Sequence, residues 1–270
     1  MRTVVHLSDL HFGRVDSRLL PPLVRLVTTI APNLIAISGD LTQRARRGEF
    51  VQARTFLQRL PFARIVVPGN HDVPLYNMAA RFLSPLARYQ RYIAQDLEPV
   101  FEDDEMVVVG LNSTRPELFA GGGRLNAGQV GRAAARLGAA PPRLVKVVVT
   151  HHPFDLPRDH GEEDLIGRSR MAMEQLAPVG ADLFLAGHLH VSHVGRTAQR
   201  YQIAGHSALV IQAGTLSTRV RGERNSFNVL RLDRSRITVD RYSWDEDHQT
   251  FLTSWSRDFL HASDGWIEPA

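Results

Sequence analysis

Aspartate and histidine recur in this chain in short groups, each placed at the end of an apolar run. "VVHLSDLH" ends in Asp9 and His11, "IAISGDL" delivers Asp40, and "IVVPGNHD" delivers Asn70, His71 and Asp72. Farther on, "VVVTHHP" supplies His151 and His152, and "LFLAGHLH" supplies His188 and His190. Alone, each has an ordinary explanation: a histidine after a strand is most often a hydrogen-bonded boundary residue, and Gly39-Asp40 or Gly69-Asn70 reads as turn chemistry. Five apolar runs that all end this way are harder to explain as turns.

The donor types narrow the chemistry. Carboxylate, carboxamide and imidazole without thiolate suit Mn²⁺, Fe²⁺ or Zn²⁺ better than Mg²⁺ or Ca²⁺. The chain has no cysteine, which removes disulfides, thiolate nucleophiles, iron–sulfur clusters and cysteine zinc sites. These donors outnumber the shell of one ion and suit two divalent ions, about 3.5–4 Å apart, that share one carboxylate. Such a pair activates water at neutral pH and stabilises both the attacking and the leaving oxygen of an in-line displacement.

The elements that must position these donors are short β-branched strands, several apolar on both faces and therefore covered on both sides. Between them the sequence predicts helices over Ser17–Ile30, Gly48–Leu60, Ala79–Ala94, Ala127–Leu137 and Arg168–Leu176. Phe50, Ala53, Phe56, Leu57 and Leu60 mark one face of the second. Pro85 predicts a kink or a split in the third. Carboxyl ends of strands in α/β sheets converge on a crevice, so distant loops can build one site there. Beyond Gly187 the pattern turns to strands, with "FNVLRLD" and "ITVDRYSW" forming a hairpin around Arg234 and Ser235. Residues 245–270 carry Phe251, Leu252, Trp255, Phe259 and Leu260 among polar residues. They are expected as a segment packed on the body, such as a helix, or as a lid or oligomer contact.

Composition is that of an ordinary globular protein, with 43% hydrophobic and 22% charged residues in 270. One domain spanning 1–270 is expected, without a linker. The net charge of +4, from 32 basic against 28 acidic residues, is too mild to imply a nucleic-acid groove. The arginines around Arg44 and Arg46 read as the exposed start of a helix. No stretch has the apolar length of a membrane span or a signal leader, so a cytoplasmic protein is expected.

Taken in order, "DLH", "GDLT", "GNHD", "HHP" and "GHLH" resemble the calcineurin-like metallophosphoesterase superfamily. The blocks run from Asp9 to His190. The resemblance implies an α/β fold, an αββα two-sheet sandwich with two divalent metals at its edge. It implies that Asp9, His11 and His190 hold one ion, that Asn70, His151 and His188 hold the other, and that Asp40 bridges them. His71 would stand just outside, orienting or protonating the phosphate ester. His152 and Asp72 would support the ligands, and His6 would be packed within its strand. His193 and His206 could face the cleft but read first as surface residues.

Closer still, "GLNSTRPELFAGGGRLNAGQV" is similar to bacterial class III cyclic nucleotide phosphodiesterases and their glycerophosphodiesterase relatives, with Gly123, Leu125 and Gln129 in the relatives' spacing. Asn112 stands where those relatives have Asp, and "HHPF" replaces "HHPP". The resemblance implies hydrolysis of phosphodiesters, 3′,5′-cyclic AMP first among them. Glycerophosphodiesters or a broad range of diesters, a nuclease activity, and a metal-binding scaffold without catalysis are the alternatives. Arg14, Asp16, Asn112 and Arg115 are candidates for the pocket around the base or alcohol, and Gly121–Gly123 for a bend near the substrate. The expected partners are a small phosphodiester and further copies of the chain, as a homodimer or larger assembly; neither a membrane nor a nucleic acid is expected.

Overall fold

The computed structural model describes residues 1–118, 121–203 and 206–269. In chain order the elements are β1 (Arg2–Leu7), α1 (Leu20–Ile30), β2 (Leu34–Ile37), α2 (Arg47–Gln58) and β3 (Arg64–Val66). Then come α3 (Met78–Leu83), α4 (Ala87–Tyr92), β4 (Val100–Glu102), β5 (Met106–Gly110), α5 (Ala127–Ala139) and β6 (Val145–Val149). After these lie α6 (Ser169–Leu176), β7 (Leu183–Ala186), β8 (His193–Arg196), α7 (Thr197–Tyr201) and β9 (Leu209–Gln212). The chain closes with β10 (Ser226–Leu232), β11 (Arg236–Asp245), β12 (Thr250–Ala262) and β13 (Gly265–Ile267).

Among the described residues the strands form two sheets, in the orders β13-β12-β11-β10-β1-β2-β3 and β4-β5-β6-β7-β9-β8. β1, β2 and β3 run parallel, as do β5, β6, β7 and β9. Alternation along each strand sorts side chains between layers: Val4 faces the inter-sheet core, whereas Val5 and Leu7 face the core under α1 and α2. Val147 and Val149 of β6 also point between the sheets, and Val148 points toward α5 and α6. The result is an αββα sandwich, and it explains why these strands are apolar on both faces. Among the described residues no helix is long and apolar enough to cross a membrane.

Local sequence sets the helix limits. α1 begins at Leu20, later than the expected Ser17, because Pro21 and Pro22 are tolerated only in a first turn. Pro85 splits the third expected helix into α3 and α4, and Ser84 before it leaves the helical region with φ −153° and ψ 60°.

A helix in residues 245–270 is corrected by the structure, which pairs β12 with β11 and β13 with β12. Phe251, Trp255 and Phe259 are four apart, a spacing that suits one helical face as well as one strand face. The register shifts between Arg241 and Tyr242, whose partners are Trp255 and Thr253. Ser254 is thus the extra residue of a bulge, and Phe251 and Phe259 fall on opposite sides of the sheet. Ala270 of this segment, and Phe119 and Ala120 of the stretch similar to phosphodiesterases, lie outside the described residues.

Candidate metal centre

The parallel strands β1, β2 and β3 of one sheet and β6, β7 and β9 of the other end at a common edge. The loops after the first five carry Asp9 and His11, Asp40, Asn70 and His71, His151 and His152, and His188 and His190. Tight turns hold them there: Asp9, His11, Asp40, His188 and His190 all have left-handed φ, between 45° and 75°. Each costs about 1–3 kcal/mol, which the packing around it must offset. Gly69 and Gly187 permit the approach, since a Cβ on Gly69 would strike Asp40 and one on Gly187 would strike Ser8 and Asp9.

All seven expected ligands are brought together. Ligand atoms of Asp9, His11, Asp40 and His190 lie within 4.8 Å of one another. Asn70 Oδ1 is 3.0 Å from His151 Nε2 and 3.1 Å from His188 Nδ1, which makes a second group. Asp40 faces both: its Oδ2 is 3.5 Å from His11 Nε2, and its Oδ1 is 3.5 Å from His151 Nε2. Hydrogen bonds fix which ring nitrogen points inward, for His151 Nδ1 donates to Ser38 O at 2.7 Å and His190 Nδ1 to Arg219 O at 2.7 Å. His11 Nδ1 has no such partner.

His152 also lies within ligand distance of His151 and His188, but its nitrogens are occupied. Nε2 donates to Gly121 O at 2.8 Å and Nδ1 accepts from Ser113 Oγ at 2.8 Å. It therefore braces the glycine turn, whose Gly121 packs against Asn70. Asp72 accepts from the backbone N–H groups of Leu41, Thr42 and Gly69 and from the Thr42 hydroxyl, tying the Asp40 loop to the Asn70 loop. His6 is buried in β1 against Ser38 Oγ at 2.9 Å, and burial pushes it down to about 3. His193 bonds Asp155 in a different cavity, and His206 lines another beside Asp182.

The electrostatics suit cations. Against the cost of burial, surrounding imidazoles hold Asp9 and Asp40 well below the usual carboxylate range. Burial opposes charge on His151, yet Asp40 and Asp9 outweigh it and hold the ring up at about 9; burial and His151 push His188 down to about 3. Burial and Asp40 raise Asp72 to about 7 against the pull of its donors. Asp9 Oδ1 is buried without a hydrogen bond, 3.2 Å from His190 Nε2. An unsatisfied carboxylate oxygen ringed by imidazole nitrogens is the environment of a divalent cation. The two groups and the shared Asp40 fit a pair of them.

The sequence reading missed Arg219, in the loop after β9. Its Nη1 donates to His71 Nε2 at 3.0 Å and lies 3.4 Å from His11 Nε2. His71 Nδ1 donates to Gln43 O at 2.8 Å, so Nε2 is the nitrogen turned to the site. The signal was present in "ALVIQAG", a further strand ending in small residues, but Arg219 comes five residues after that run and seven after the last residue of β9.

A cavity opens on each side of His71. One, of about 170 Å³, is walled by Asn70, Gly121, Val73, Leu75, Leu118 and Arg115. The other, of about 540 Å³, is lined by Arg14, Arg44, Arg46, Glu49, His71 and Arg219. Asn112 serves the turn, accepting from Thr114 and, through its carbonyl, from Arg115 and Gln129. Asp16 lines neither cavity and instead holds Arg18.

The description of calcineurin-like phosphoesterases matches residues 2–192 of this chain. The chain belongs to that family. Comparison of this phosphoesterase with curated protein sequences gives no match. Among solved structures it is similar to PhoD, with a TM-score of 0.72 and 10% identity over 100% of this chain and 71% of that one. A dimetal phosphatase from Danio rerio gives a TM-score of 0.64 and 14% identity, covering 93% of this chain and 98% of that one. Purple acid phosphatase PPD1 from yellow lupin gives 0.68 and 11% identity over 95% of this chain and 53% of that one. At such identities the structures establish the shared fold, while the family match and the buried Asp–His site together support metal-dependent phosphoester hydrolysis.

Proposed function

We propose that this phosphoesterase hydrolyses phosphodiesters, with Asp9, His11, Asp40 and His190 holding one divalent ion and Asp40, Asn70, His151 and His188 the other. The observation that carries the reading is the pair of cavities flanking His71. A monoester needs room for one substituent on phosphorus, whereas a linear diester needs room for two. The two ions would supply Lewis acidity, drawing charge from the phosphoryl oxygens and making water nucleophilic at neutral pH.

The protein's own groups do the rest. Arg219, half-buried beside Asp40 and Asp9, turns its donors toward the position of a phosphoryl oxygen. When they shift from His71 to that oxygen, His71 Nε2 is free to carry a proton. Hydrolysis forms a P–O bond to the oxygen of water and breaks the P–O bond to one alcohol. One proton of the water ends on that alcohol oxygen, and His71 is placed to deliver it.

The test is kcat/KM in metal-defined protein for bis(4-nitrophenyl) phosphate, glycerophosphodiesters, 2′,3′- and 3′,5′-cyclic AMP, and 4-nitrophenyl phosphate. Diesters should exceed the monoester by about tenfold or more. Equal or faster monoester hydrolysis refutes the diester reading. 3′,5′-Cyclic AMP, the substrate that the resemblance implies, attaches both ester oxygens to one sugar; a preference for it over every linear diester would select the cyclic nucleotide.

A further inference from the structure

The larger cavity has an unusual wall. Arg14 follows β1, Arg44 and Arg46 follow β2, and Arg219 follows β9, so three separate loops each send arginine to one concavity. Among the described residues no carboxylate forms an ion pair with any of the four, although many arginines elsewhere are paired, as Arg132 is with Glu98 and Arg241 with Glu223. Arg44 lies instead over the Tyr76 ring at 5.2 Å, and Arg219 bonds His71.

The single carboxylate in the wall is already committed. Glu49 Oε2 accepts the backbone N–H of Arg44 at 2.8 Å and of Arg46 at 3.1 Å, which shapes the loop that presents both side chains. Four like charges around a concavity repel one another unless an anion sits among them, and low-dielectric walls focus their field on it. His71 and Arg219 border this cavity and also reach the candidate metal centre, so an anion held here is continuous with the reacting phosphoryl group.

We propose that the arginine cavity binds a second phosphate of the substrate, and that the protein therefore acts on diesters carrying two phosphates, one reacting over Asp40 and one held by Arg14, Arg44 and Arg46. The proposal rests on the phosphodiesterase reading above. Two sources present this chemistry: a pyrophosphate diester, in which the bridging oxygen joins the two groups, or a diester of an alcohol that is itself phosphorylated. In the first, water's oxygen bonds one phosphorus, the bridging P–O bond breaks, and the second phosphate departs with the electron pair. In the second, the broken bond is an ordinary P–O ester bond, and the second phosphate stays on its alcohol.

Three substrates separate these outcomes: the 4-nitrophenyl ester of thymidine 5′-phosphate, the same compound bearing a 3′-phosphate, and diadenosine pyrophosphate. The expected result is at least a tenfold higher kcat/KM for one of the compounds that carry two phosphates, and which one it is names the source. Arg46→Ala should reduce that ratio about tenfold, and Arg46→Lys should recover part of it. Calorimetry on chelator-treated protein reads the cavity without turnover. Inorganic pyrophosphate should bind more tightly than inorganic phosphate, and the combined Arg44→Ala and Arg46→Ala variant should lose about tenfold of that affinity. Equal rates on all three substrates, or a ratio and a pyrophosphate affinity unchanged by the variants, would overturn the proposal. Absence of turnover on every phosphoester, with both ions bound, defeats instead the phosphodiesterase reading; calorimetry then still decides whether the cavity holds phosphate.

Discussion

Asp40 is the side chain on which both ligand groups depend, because its two oxygens face different imidazoles. Asp40→Ala should leave less than one tightly bound ion per chain by elemental analysis and lower kcat by more than about a hundredfold, a larger effect than loss of a supporting residue. His71→Ala should keep both ions and lose about a hundredfold or more in kcat, the usual worth of a placed proton donor. Measuring metal content beside rate separates the two roles. His152 touches backbone and hydroxyl groups on both of its nitrogens, so His152→Ala should weaken metal affinity by about 10–100-fold, seen by competition with a chelator.

At the scale of elements, α2 clamps the loop that carries Asp40 and three of the residues lining the arginine cavity. Its Phe50 is fully buried and stacks on Tyr92 of α4. Phe50→Ala should cost about 3–5 kcal/mol in a denaturant titration while leaving metal content unchanged well below the melting temperature. Loss of metal in the folded variant would show that α2 positions ligands as well as packing the core. The C-terminal hairpin belongs to the same level. Phe259 and Trp266 complete the inter-sheet core, so β12 and β13 are structural parts of the first sheet.

For the whole molecule, the proposed ions would couple to the fold. Five left-handed backbones among the proposed ligands, and buried carboxylates, are local costs that two cations at the site would offset. Ions at a hundred times their dissociation constant should stabilise the folded state by about 2.7 kcal/mol per site, and a chelator should lower the melting temperature accordingly. An unchanged melting temperature on metal removal would mean that the site is held by the sandwich alone.

By itself the sequence determined the strand ends and the donors on them, because a short β-branched apolar run and a tight turn are local properties that Val4–Leu7, Gly39-Asp40 and Gly69-Asn70 display openly. Pro85 likewise announced the break between α3 and α4. Tertiary structure alone decided three things. Trp255 and Phe251 face opposite ways because a bulge at Ser254 shifts register against a strand paired in space. His152 is a brace because Ser113 and Gly121, far away in the chain, occupy its nitrogens. Arg44 and Arg46 read as the exposed start of a helix, Arg219 was missed, and Arg14 was one pocket candidate among several until parallel strands from both sheets brought their loops to one edge. Contact between residues distant in the chain leaves no period in the sequence, and that is the physical reason these were legible only in the folded molecule.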